Sequence, residues 1–107
     1  MSSMRALRVL DVSDNRLGGV LPESLWEIPG LDEIRLGINR LEGTLPAAWG
    51  LMERLLTLDL YGNHLSGQIP QDWGERFTRL RFLDLGSNDL TGPIPPTLFS
   101  ARRLEHI

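Results

Sequence analysis

Few side chains in this sequence have a type and spacing suited to chemistry. Asp59 and Asp84 lie 25 residues apart, with Arg35 and Asp11 at 24-residue steps before Asp59. Tyr61 and Phe82 stand two residues beyond Asp59 and two before Asp84. A pair of carboxylates can move a proton, hold a hard cation through oxygen, or accept a cationic partner. Aromatic rings flanked by charges have the composition of an interface hot spot. Nucleophilic catalysis is poorly served. The chain has no cysteine, and neither His64 nor His106 falls in step with Ser13 or Ser87. All of this depends on whether equal spacing in sequence means adjacency in space.

The chain repeats itself, so it does. Leu55 to Pro70 reads LLTLDLYGNHLSGQIP, and the same frame recurs from Leu7, Leu31 and Leu80. The frame is L-x-x-[LI]-x-[LV]-x-x-N-x-L-x-G-x-[LI]-P. Its asparagines, Asn15, Asn39, Asn63 and Asn88, are 24, 24 and 25 residues apart. A fixed period of this length signals a solenoid, in which each repeat buries its apolar edge against its neighbours.

Within a repeat the hydrophobic period is two around frame positions 4 and 6, which predicts strands at Val9–Val12, Glu33–Leu36, Thr57–Leu60 and Phe82–Leu85. They should stack as a parallel sheet, with positions 3, 5 and 7 pointing outward. The asparagine side chain can then satisfy turn groups that would otherwise be buried unpaired. Gly19, Gly43, Gly67 and Gly92 fall where the backbone should bend. The [LI]-P pair is expected to form a short second strand ending at proline. Stretches such as Glu23–Gly30 and Gln71–Arg79 should form 3₁₀ or single-turn helices, the latter absorbing one extra residue. Leu25, Trp49, Trp73 and Leu98 share a frame position and should face the core.

The frame resembles the leucine-rich repeat, and its LxGx[IL]P half resembles the plant-type subclass. Pro46-Ala-Ala-Trp49 and Pro70-Gln-Asp-Trp73 are similar to the LPxxW repeats of kinetoplastid surface antigens. The resemblance implies an α/β solenoid: a parallel sheet on the concave side, with second short strands and 3₁₀ turns on the convex side. It runs over residues 1–107 as one domain, with repeats starting near 7, 31, 55 and 80 and a partial one at 104. It also implies protein or peptide binding on the concave face, and a cell-surface or extracellular location.

Composition excludes several alternatives. The net charge is -3 with both signs interspersed, so no basic patch points to nucleic acid. No apolar run is long enough to insert into a membrane, and MSSMRA lacks a signal-peptide core. Without cysteine there are no disulfides. No cofactor and no metal is expected, and an open sheet lacks the enclosure that catalysis needs. The ends read as slices of further repeats, as abbreviated caps or as frayed termini; without caps, Leu7, Leu10 and Val12, with Leu104 and Ile107, are expected to support self-association.

Three outward rows remain as candidates for a ligand. The middle row is Asp11, Arg35, Asp59, Asp84. The others are Val9, Glu33, Thr57, Phe82, His106 and Ser13, Gly37, Tyr61, Gly86. Asp59 and Asp84 are either a pair awaiting a cation or solvated surface groups with Arg35 compensating Asp59. Tyr61 and Phe82, with Leu56 and Ile38, are expected to form an apolar contact patch or merely to cover the sheet. The two functional alternatives are therefore a non-catalytic recognition module and a structural segment of a longer surface array.

Overall fold

The computed structural model describes residues 7–95. Four short strands, β1 (Val9–Asp11), β3 (Glu33–Arg35), β5 (Thr57–Asp59) and β7 (Phe82–Asp84), pair in parallel in that order. Four more, β2 (Gly18–Val20), β4 (Arg40–Thr44), β6 (His64–Gly67) and β8 (Asp89–Leu90), form a second parallel sheet. The first-sheet strands begin at the expected residues and end one residue early. The ladder itself continues. Val12, Leu36 and Leu60 still donate N–H to the carbonyls of Arg35, Asp59 and Asp84. What stops each strand is a left-handed residue just beyond: Asp14, Ile38, Gly62 or Ser87, with φ between 52° and 72°.

Inward positions behave as the alternation requires. Ile34, Leu58, Leu83 and Leu60 are completely buried, and Leu36 and Leu85 nearly so. They meet Leu41, Leu65, Trp49, Trp73 and Phe77 from the other side of the solenoid in one continuous core.

The second sheet departs from expectation. The [LI]-P pair lies outside it, because β4 ends at Thr44 and β6 at Gly67. Leu41 pairs with Gly19 and Leu65 with Gly43, so each second strand slides two residues against the frame as the solenoid climbs. The glycines make the slide possible. They sit at φ 78° to 85°, and a Cβ on Gly43 would stand 2.9 Å from Val20 Cγ1. That space is filled by the preceding rung's side chain. Proline, freed from the sheet, starts the convex turn instead. Pro22, Pro46 and Pro70 immediately precede Glu23–Glu27, Ala47–Leu51 and α1 (Gln71–Arg76), where a missing N–H costs nothing.

The extra residue of the third repeat has a definite effect. The first two convex turns are 3₁₀, closed by Ile28 and Met52 donating to residues three before them. In α1, Phe77 donates to Trp73, four before it. One residue changes the winding, and Ile28, Met52 and Phe77 all still arrive buried.

Trp49 and Trp73 are fully buried, as their frame position predicts, and Leu25 is nearly so; Leu98 lies outside the described residues. Trp49 Nε1 donates to Pro22 O and Trp73 Nε1 to Pro46 O, both at 3.1 Å. The two indoles stack with centroids 6.4 Å apart and planes 4° from parallel. Each tryptophan thus adds a polar tie between repeats to the area it buries.

Candidate functional site

The outward face of the first sheet is set by strand register. Arg35 pairs with Asp11 on one side and Asp59 on the other, and Asp59 pairs with Asp84. The middle row is therefore continuous in space, at ~4.8 Å per rung. Glu33, Thr57 and Phe82 form the row beside it. His106 lies outside the described residues.

Arg35 reaches Asp59, as expected, but its shorter bond is to Glu33. Its Nε donates to Glu33 Oε2 at 2.6 Å, while Nη1 stands 3.8 Å from Asp59 Oδ2. Residues i and i+2 of a strand share a face, which puts Glu33 within closer reach than the carboxylate across the ladder. The hydrogen bond to Glu33, against a smaller effect of burial, holds the guanidinium's pKa above its ordinary value. Its Cζ also lies 5.7 Å from the centroid of Phe82, within cation–π range.

Each aspartate of the row caps its own turn. Asp59 Oδ1 accepts the Tyr61 N–H at 3.1 Å, and Asp84 Oδ1 accepts the Gly86 N–H at 3.0 Å. Asp11 Oδ1 accepts from the Ser13 hydroxyl at 2.7 Å and from the Ser13 N–H. Those bonds, the hydroxyl first, lower the Asp11 pKa. Among the described residues, Asp84 makes no ion pair. Asp59 and Asp84 thus share an edge with only the distant Nη1 of Arg35 to offset them.

The aromatic residues do not form one patch. Phe82 pairs with Thr57, and Tyr61 stands four residues beyond Thr57, ~13 Å along the strand direction at ~3.3 Å per residue. Phe82 and the half-buried Leu56 belong to one lip of the sheet. Tyr61 and Ile38 belong to the other, 43% and 53% exposed. The carboxylates lie between. Tyr61 has room because its row-mates are glycines: a Cβ on Gly86 would come within 3.2 Å of Tyr61 Cδ2. The row Ser13, Gly37, Tyr61, Gly86 carried that signal in the sequence.

The asparagines bridge the two sheets. Asn63 Nδ2 donates to Leu36 O and Leu60 O, and its Oδ1 accepts the Leu41 N–H. Asn39 and Asn88 repeat the pattern on their own rungs. Asn39 and Asn63 are buried and Asn88 is half-buried; Asn15 is exposed, and its side-chain amide donates to Val12 O and Ser13 O of its own turn.

His64 lies exposed on β6, in the second sheet, and Ser13 is bonded to Asp11. No cluster among the described residues has the makings of a metal site, and none of their helices is long and apolar enough to cross a membrane.

Residues 29–90 match the family model described as leucine rich repeat, and residues 6–28 match a second leucine rich repeat model. No curated protein matches the chain. Solved structures do. The ectodomain of the receptor kinase SOBIR1 from Arabidopsis thaliana is 29% identical, with a TM-score of 0.85 over 94% of this chain and 53% of that one. The Arabidopsis HAESA ectodomain, solved with an IDA peptide hormone ligand, is 30% identical with a TM-score of 0.88, over 99% and 18%. The Arabidopsis BIR3–SERK2 complex gives 33% and 0.85, over 100% and 60%. The chain therefore spans less than two thirds of each of these proteins.

Proposed function

The chain belongs to the leucine-rich repeat family, and on that footing we propose that it is a non-catalytic recognition module binding a protein or peptide through the outward face of its first sheet. The observation that carries this is the Asp59–Asp84 edge, bordered by the exposed Tyr61 on one lip and by Phe82 and Leu56 on the other. Nothing in the core needs these side chains. Arg35 completes the face as the one cation, among four carboxylates, of the described residues of the outward rows. Peptide and protein complexes among the structural neighbours support the same reading. Their receptor ectodomains support an extracellular or cell-surface setting, and the LxGx[IL]P frame supports the plant-type subclass.

The asparagines hold the turns in this proposal and take no part in binding. The experiment is capture of a partner from cell-surface extract, repeated with Tyr61→Ala/Phe82→Ala. Loss of the partner with the fold intact is the expected result. Retention, together with loss on the convex-side changes Gln71→Ala or Arg79→Ala, would move the site to the other face. A structural segment of a longer array would show neither dependence.

A further inference from the structure

We infer that Ile38 is a ligand-contact residue, and that the face it borders takes an extended peptide with a cationic side chain two positions from an aliphatic or aromatic one. The inference rests on the recognition reading above and names the chemistry of its ligand. The residue following each first-sheet turn is left-handed on every described rung, and three of the four are suited to it: Asp14, Gly62 and Ser87 are small or polar. Ile38 at φ 55° is not, since a β-branched side chain is disfavoured there. Nor does burial offset the cost, because Ile38 is 53% exposed.

Its surroundings say what it could serve. Ile38 N–H donates to Tyr61 O at 2.6 Å, so the two residues are locked side by side across the ladder. Its Cγ1 reaches over Gly62, where a Cβ would come within 3.5 Å. With Tyr61 it makes an apolar step at the lip of a face that is otherwise acidic. Among the described residues, Asp11, Glu33, Asp59 and Asp84 there meet only Arg35, whose closest bond is to Glu33. Charge complementarity therefore selects a basic peptide. Asp59 precedes Tyr61 by two residues, ~6.6 Å along the strand. That is the interval between alternate side chains of an extended peptide. A lysine or arginine over Asp59 and Asp84 would place the side chain two positions away against Ile38 and Tyr61.

The test is selection from a phage-displayed library of random twelve-residue peptides on the intact chain, followed by affinity measurements with the synthesised winner. Enriched peptides should carry a basic residue two positions from an aliphatic or aromatic one. The winner should bind Ile38→Asn about tenfold more weakly, a loss larger than most interface residues show, while that variant melts at the same temperature or higher. Asp59→Asn/Asp84→Asn should weaken it as well. Ile38→Ser, the residue type found at Ser87, repeats the test should the asparagine variant fail to fold. No enrichment of such peptides would overturn the inference. So would undiminished binding to Ile38→Asn and Ile38→Ser, or a fall in their melting temperature matching the loss of affinity. A winner that binds Tyr61→Ala/Phe82→Ala at full strength overturns the recognition face as well. One that is lost there but kept by the Ile38 variants overturns this inference alone.

Discussion

The first repeat and the third have the same frame and live in different environments. The Asn15 side chain is exposed and bonds within its own turn, whereas that of Asn63 is buried and bonds to the rung before it. Val9 is 48% exposed and its ladder partner two rungs on, Thr57, is half-buried. Leu25 and Trp73 hold one frame position, but only Trp73 reaches back to a neighbour's carbonyl. In a solenoid, the contribution of a residue depends on the neighbour it meets as much as on its place in the repeat.

The largest separation between the two repeats should come from that position. Trp73→Ala removes a fully buried indole and should cost about 3–5 kcal/mol, against about 2–3 kcal/mol for Leu25→Ala. Urea unfolding of both variants measures the gap, and equal losses would break the comparison. Iodide quenching sharpens it. Emission from Trp26, 40% exposed, should be quenched, while a Trp26→Phe variant retaining Trp49 and Trp73 should be protected.

The asparagines come next. Asn63→Ala leaves the Leu41 N–H without its side-chain acceptor and Leu36 O with one side-chain donor, from Asn39, in place of two, and should cost about 1–3 kcal/mol. Asn15→Ala, at an exposed site, should stay within about 0.5 kcal/mol. Similar values for the two would mean that the bonds between rungs contribute little.

A smaller contrast concerns the recognition face. Tyr61→Ala and Phe82→Ala should each weaken a captured partner by about 1–2 kcal/mol, with Val9→Ala on the first rung close to neutral. Surface plasmon resonance on the partner decides between them.

The smallest effect is a titration. Ser13→Ala removes the hydroxyl bond that lowers the Asp11 pKa, so NMR should find that carboxyl nearer its ordinary value. The sign for stability follows. A depressed folded value stabilises above the unfolded pKa, and that stability is lost as pH falls through the folded value. The variant should show a shallower loss over that acid range.

Much of this was legible in the sequence because a repeat tests itself. Leu58 and Leu60 alternate with polar residues in four copies, so the first sheet, its register and its outward rows followed directly. Trp49 and Trp73 fell to the core by their frame position. What could not be read was anything set by the offset between rungs. The two-residue slide of β4 against β2 leaves no mark on a frame aligned at its asparagines, so the leucine–proline pair was expected in a strand it does not join. The pairing of Arg35 with Asp59 was legible, and its closer partner was not. Glu33 lies two residues away on the same strand, outside the row that runs across strands. The division of the apolar patch was available in principle, since Phe82 holds position 3 and Tyr61 position 7.

The side-chain ties between rungs also have a direction. Asn39, Asn63 and Asn88 each reach the carbonyl and amide of the rung before them, and Trp49 and Trp73 reach the preceding proline's carbonyl. Every one of these bonds is made by the later rung to backbone already laid down by the earlier. A chain leaving the ribosome amino end first would therefore meet a finished template at each step, and its assembly is biased to run in the order of its synthesis. Unravelling from the carboxyl end would undo these ties one rung at a time, whereas removing the first rung would strip the second of its template.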